Sequence, residues 1–254
     1  MAATLIVLAH PERKSFNGAW ADATAEASIA AGHEVLWSDL YGMGFDPAES
    51  RDQFPGYAAD RPFDPLKAQE EAAAADALPA DVAAEIDKIR RADRIVFHFP
   101  FWWFGVPAIL KGWFDRVLAH GELHTVDQRY DEGMCRGKKV LFCVTLGATE
   151  AEAGFNGKEG DIALLLWPHA YTMRYLGMTV LEPVLACSVH GYFEGTEEVE
   201  LEARLSGLLE KQAKIIGEFD SRPEISFNAD SDFDEAGRLK PEAPSYSAMI
   251  RHQR

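Results

Sequence analysis

Three short segments of the chain carry residues whose types and spacing suit chemistry. The first, His10-Pro11-Glu12-Arg13-Lys14-Ser15-Phe16-Asn17, follows the apolar run Thr4–Ala9 and opens a helical pattern. Ser15 and Asn17 are good capping residues. The free N–H groups and the dipole of a helix start attract anions, and His10, Arg13 and Lys14 can add positive charge. This segment fits a phosphate site or a plain helix cap. The second, Pro100-Phe101-Trp102-Trp103-Phe104-Gly105-Val106-Pro107, places four consecutive aromatics after the apolar run Arg94–Phe99. Aromatic faces stack on planar rings, and the glycine and prolines fix the backbone. Such a corner suits a pocket for a flat ligand, or a hydrophobic interface. The third, Thr145-Leu146-Gly147-Ala148-Thr149, continues through Gly154, Gly157 and Gly160. Gly147 permits close approach of backbone to a ligand. The later glycines suit a flap or an ordinary surface loop.

Other chemistries find no residues to stand on. The chain has no G-x-G-x-x-G turn, P-loop, H-E-x-x-H pair or G-x-S-x-G elbow. His98, His120, His124 and His169 are scattered without metal-ligand spacing and read as structural. The three cysteines, Cys135, Cys143 and Cys187, are odd in number and far apart, which argues against a disulfide framework and for a reducing compartment. A formal net charge of −16 makes nucleic acid and anionic membranes poor partners. It leaves room for an anionic cofactor held by local amides. No stretch approaches the roughly 20 apolar residues of a membrane span, and the N-terminal apolar run is too short for a signal peptide. A cytoplasmic protein without membrane insertion is expected.

The elements that must position these segments follow from periodicity. Five apolar runs, Thr4–Ala9, His33–Leu40, Arg94–Phe99, Lys139–Leu146 and Thr179–Cys187, alternate with amphipathic helical patterns. Phe16, Trp20, Ala23 and Ala27 mark the apolar face of the first helix, and a helix is expected over Leu66–Ala75 within the irregular stretch from Met43 to Pro79. Near-continuous apolar strands separated by helices imply a parallel sheet covered on both faces. The predicted fold is therefore α/β: a doubly wound, five-stranded parallel sheet of order 2-1-3-4-5, with its ligand at the carboxyl ends of the strands. Residues 1–220 form this domain, and the polar, proline-containing residues 221–254 form a C-terminal extension.

With these parts in place, LIVLAHPERKSFNGA, SDLYGMGFDP, FPFWWFGVPAILKGWFDRV and LLLWPHAYTMRYLGMTVLEPV together resemble the NAD(P)H:quinone oxidoreductase family of the flavodoxin-like superfamily, in its long form. The resemblance implies a homodimer with bound FAD (FMN in shorter relatives). Hydride would pass from NADH or NADPH through flavin N5 to a quinone or similar planar acceptor by a ping-pong route. Carried onto this chain, His10, Ser15, Phe16 and Asn17 would hold the phosphate arm. Pro100, Phe101, Trp102, Trp103 and Phe104 would surround the ring, and Thr145 and Gly147 its polar edge. Asp64 would face the adenosine half across the dimer. Backbone donors at Trp103, Phe104 and Gly147 would support the reaction, with His124 as a substitute proton donor. Two departures stand out: the family's Tyr and His in the loop after strand four fall at Ala153 and Glu159, and a substrate-covering tyrosine pair is lost near His124–Val126. The alternative carried by the same resemblance is a flavin-binding regulatory subunit of an ion-transport protein.

Overall fold

The run Ala3–Leu8 forms β1, buried at all six positions, because it lies inside a sheet covered on both faces. The computed structural model describes residues 2–252; Met1, which opens the expected domain, and Gln253 and Arg254, which end the expected extension, lie outside the described residues. β1 is flanked by β2 (Glu34–Asp39) and β3 (Arg94–Pro100), followed by β4 (Lys139–Thr145) and β5 (Thr179–Val180). All pairings are parallel and the order is β2-β1-β3-β4-β5, the doubly wound arrangement expected. β2 lies at an edge and is mostly half-buried.

The fifth apolar run is split. Its second part, β6 (Val184–Ala186), also pairs with β4. Val140 faces Val180, yet Cys143 faces Val184, so one extra residue is accommodated at Leu181–Pro183. Pro183 has no N–H to give a ladder, and a bulge absorbs the mismatch.

The described residues form six α-helices: α1 (Phe16–Ala30), α2 (Pro65–Ala74), α3 (Ala80–Arg91), α4 (Ala108–Val117), α5 (Ile162–Tyr175) and α6 (Thr196–Gly217); α2 packs with Phe54 and Tyr57. Alternation along the strands assigns the two faces. Leu5, Val7, Phe97, Phe99, Phe142 and Val144 pack with α3, α4 and α5. Val96, Leu141 and Cys143 pack with Trp20 of α1 and Ile216 of α6. Truncating a fully buried side chain such as Trp113 to alanine would cost about 3–5 kcal/mol.

α1 buries Asn17, Trp20, Ala21, Thr24, Ala25 and Ser28. Its buried face is thus rotated from the expected Ala23 and Ala27, because small polar residues serve where α1 meets α6. Trp20 Nε1 donates to Gln212 Oε1 (2.8 Å), Gln212 Nε2 donates to Thr24 Oγ1 (2.8 Å), and Thr24 Oγ1 meets His98 Nε2 (2.9 Å). α5 continues through Pro168. The lost backbone bond is tolerated because Ile162, Leu166, Ala170 and Met173 anchor the helix on the core.

Residues 223–225 follow the sheet edge. Ile225 N donates to Val180 O (2.8 Å) and Glu182 N to Pro223 O (2.9 Å), covering the exposed edge of the fifth strand. Further on, Asp230 N donates to Asp131 Oδ2 at 2.6 Å, and Phe227 packs on Tyr171 at 5.8 Å between ring centroids.

Candidate functional site

The ends of β1, β3 and β4 are joined by direct hydrogen bonds. Ala9 N donates to His98 O (2.9 Å), Phe101 N to Thr145 O (2.7 Å) and Asn17 Nδ2 to Thr145 Oγ1 (2.8 Å). The rings of His10 and Trp102 lie 6.0 Å apart. The three segments singled out in the sequence therefore form one surface at the carboxyl edge of the sheet, where doubly wound folds bind their ligands.

On the β1 side, Ser15 caps α1, accepting from Gly18 N at 3.3 Å. Gly18 is required by packing: a Cβ there would lie 2.0 Å from the Arg13 carbonyl oxygen. The N–H groups of Phe16 and Asn17 have no intrahelical acceptor, and they carry the positive end of the helix dipole. Asn17 is buried and its Oδ1 has no partner. A buried acceptor left open is the exception in folded proteins, and here it fits a hydroxyl-bearing ligand arm. Arg13 turns away: it pairs with Asp22, approaches Asp39 at 3.7 Å and covers the Trp37 ring. The charge expected from Arg13 is thus spent on the outer face of α1. His10 Nδ1 accepts from Glu12 N at 3.0 Å.

On the β3 side, Trp102 N donates to Gly105 O (3.0 Å) and Gly105 N to Trp102 O (3.1 Å), closing a tight turn. Its two central residues, Trp103 and Phe104, have φ of +50° and +61°. Such geometry, as in a type I′ turn, favours Asn and Gly; for bulky residues it costs about 1–2 kcal/mol each. Burial does not offset this, since Trp103 is 95% exposed and Phe104 56%. The N–H groups of Trp103, Phe104 and Gly147 take no part in the backbone bonds that close these turns. Strain of this kind collects at active sites, ligand clamps and switch regions.

A cavity of about 280 Å³ opens against this turn, lined by Phe101, Trp103, Phe104, Gly147, Ala153 and Glu159 among others. A Cβ on Gly147 would meet no atom within 4 Å. The residue is therefore not required by close backbone packing within the chain; it leaves space beside the cavity. Leu146 and Ala148, within the third segment, also line it, as do Ile162 and Leu165, whose apolar character in the sequence reads as core. The loop after β6 was also missed. Ser188 N donates to Ala148 O (2.8 Å) and Val189 N to Leu146 O (3.0 Å). The run Ser188-Val189-His190-Gly191-Tyr192-Phe193 that follows strand five was its available signal.

The segment after Gly147 is ordered by a reciprocal cap. Thr149 N and Oγ1 both donate to Glu152 Oε2 (3.0 and 2.9 Å), Glu152 N donates to Thr149 Oγ1 (3.2 Å), and Lys158 Nζ lies 2.9 Å from Glu152 Oε1. The bond from Lys158, then those from Thr149, hold the Glu152 carboxyl down at about 2.

Two expected site residues lie elsewhere within the chain. His124 lines a separate cavity between α4 and α5, with Nε2 3.1 Å from Leu118 O. Burial, and then the neighbouring His120, lower its pKa. Within this chain the His124 ring is thus held at the Leu118 carbonyl, away from the cavity beside Trp103 and Phe104. Asp64 is the N-cap of α2, accepting from Lys67 N at 3.3 Å and facing Lys67 Nζ at 3.9 Å. Among the described residues, no group of three or more His, Cys, Asp or Glu side chains is placed to hold a metal ion.

Comparison with known proteins agrees with this geometry. Residues 2–211 match a family model described as the flavodoxin-like fold. The chain is 42% identical over 191 residues to NAD(P)H dehydrogenase (quinone) 1 of Rattus norvegicus, covering 73% of this chain and 68% of the relative. It is 40% identical over 185 residues to ribosyldihydronicotinamide dehydrogenase (quinone) of Mus musculus, covering 72% and 80%. A crystal structure from Klebsiella pneumoniae, described as a candidate quinone reductase, is similar with a TM-score of 0.82 at 30% identity, covering 95% of both chains.

Proposed function

This chain belongs to the flavodoxin-like NAD(P)H:quinone oxidoreductases, and we propose that it works with bound FAD, passing hydride from NADH or NADPH to a quinone or similar planar acceptor by a ping-pong route. Bound here, the flavin would supply the relay, its N5 taking hydride from the nicotinamide and giving it to the acceptor that follows. The observation that carries this reading is the turn Trp102–Gly105. Two solvent-facing aromatics are held there in left-handed backbone, on the sheet edge that also carries the open acceptor of Asn17.

Each part of the chain has a separable task. The start of α1, with Ser15, Phe16 and Asn17, would neutralise the phosphate arm by dipole and N–H groups. Thr145 fixes Asn17 from β4. Pro100, Phe101 and Trp102 set the plane of the ring site, with His10 against Trp102. N–H groups of Trp103, Phe104 and Gly147 would hold the polar edge of the flavin; preorganised donors stabilise developing charge without reorganisation. Proximity of donor and acceptor to one ring supplies the rest.

FAD is favoured over FMN by the resemblance to long members, and a homodimer would bring a second chain against the exposed aromatics Trp103, Phe104 and Tyr192. Asp64 would then face the adenosine half from the partner. The three cysteines are free and no helix among the described residues is long and apolar enough to cross a membrane, which supports a cytoplasmic placement. The relatives' names speak for turnover, not for a subunit of an ion-transport protein.

The test is direct. The cofactor is released from purified protein and identified by mass, and the oxidised protein is mixed anaerobically with NADH or NADPH. Bound FAD and rapid loss of the oxidised flavin absorbance are expected. A protein that takes up neither FAD nor FMN in excess overturns the proposal.

A further inference from the structure

Glu159 is the one ionisable residue among those lining the cavity beside Trp103 and Phe104; the others there are apolar or glycine. Its backbone is pinned by a bond from Glu159 N to Glu152 O (3.0 Å). The adjacent cation, Lys158, pairs with Glu152 at 2.9 Å, and Glu159 forms no salt bridge among the described residues. Ala153, which also lines the cavity, is buried and small, which leaves the cavity open to a two-ring molecule. A lone carboxylate on an apolar slot whose walls are aromatic favours flat cations and opposes flat anions.

We infer that Glu159 is a specificity-determining residue that selects planar acceptors by charge, favouring cationic over anionic ones. The inference rests on the function proposed above. The reaction is unchanged: NAD(P)H and a proton reduce the quinone to its hydroquinone and leave NAD(P)+. Only the attraction of the acceptor to the cavity differs.

The test uses flavin-loaded protein and three acceptors with one core: 1,4-naphthoquinone, its 2-sulfonate, and a derivative bearing a quaternary ammonium. The ratio of kcat/KM for the ammonium and sulfonate compounds is expected to exceed about tenfold, the scale of one unit charge a few ångströms away in a partly wet site. It should shrink several-fold in Glu159→Gln and invert in Glu159→Lys. Glu210→Gln, an equal change of net charge at an exposed position that does not line the cavity, should leave the ratio in place. Calorimetric binding of a redox-inert quaternary-ammonium naphthalene should weaken in parallel in Glu159→Gln. Flavin that is reduced by NAD(P)H with a ratio unmoved by Glu159→Gln and Glu159→Lys overturns this inference alone. Protein that binds no flavin overturns both.

Discussion

Asn17 Nδ2 donates to Thr145 Oγ1 across 2.8 Å, joining residues 128 positions apart. The bond ties the start of α1 to the end of β4 and leaves Asn17 Oδ1 open in a buried setting. Asn17→Ala is expected to weaken flavin binding by about tenfold or more, since a buried hydrogen bond to a ligand contributes about 1–2 kcal/mol and 1.4 kcal/mol is tenfold. Thr145→Val should have a similar effect, and the double variant should lose little more than either single, because both act through one contact. Flavin fluorescence titration of the apoprotein reads the affinities; additive losses would mean that the two side chains act separately.

The turn at Trp103 and Phe104 sets stability against binding. Both residues hold left-handed backbone, and Trp103 buries almost nothing. Trp103→Gly should therefore stabilise the apoprotein by up to about 1 kcal/mol by relieving the backbone, while lowering flavin affinity and acceptor turnover. Urea midpoints of apoprotein and flavin titrations on the same samples check both halves. A Trp103→Gly apoprotein less stable than the parent would show that the turn is held by contacts within the chain and not kept for a ligand.

Acid sensitivity should come from buried histidine. Burial lowers the pKa of His98 to about 3, and it lowers His124 and His169 as well. The folded state disfavours the charged form of these rings, whereas the unfolded chain takes up protons below its ordinary 6.5. The contribution of His98 is thus complete above pH 6.5 and is lost as pH falls from there toward 3, and that of His124 and His169 begins to be lost over the same fall. The slope is at most about 1.4 kcal/mol per pH unit for each ring. Between pH 6.5 and 5 carboxylates change little, so the histidines dominate. Urea unfolding at pH 7.5, 6.5 and 5.5 should show the fall, and His98→Gln should reduce its slope. An identical slope in His98→Gln would remove His98 as a cause.

What could be read from residues alone was whatever short-range chemistry dictates. Apolar runs buried on both faces had to be parallel strands, and the loops at their carboxyl ends had to meet. His10, Asn17, Phe101, Trp102 and Thr145 are indeed joined there. What depends on distant partners was not readable. Arg13 turns outward because Asp22 and Asp39 wait there. His124 is drawn into another cavity by the Leu118 carbonyl. The fifth strand breaks because Pro183 meets a register already set by β4. The left-handed pair Trp103–Phe104 goes against local preference altogether, and such conflicts collect where a ligand supplies the missing stabilisation.

Gly147 offers a way to separate fold from function. Its Cβ position is open, and its backbone is not among those with positive φ, so a side chain there costs the fold little. Replacing glycine in ordinary backbone even removes freedom from the unfolded chain. The same side chain would project beside a cavity of only about 280 Å³, where an added leucine occupies a large part of the acceptor's room. Gly147→Leu is therefore expected to melt within a few degrees of the parent and to keep its flavin. It should lose at least about tenfold in kcat/KM for two-ring acceptors, about 1.4 kcal/mol of transition-state stabilisation. Gly147→Ala should lie between. Thermal scans, flavin content and steady-state rates with naphthoquinone decide it. Full turnover by Gly147→Leu would move the acceptor site away from this cavity.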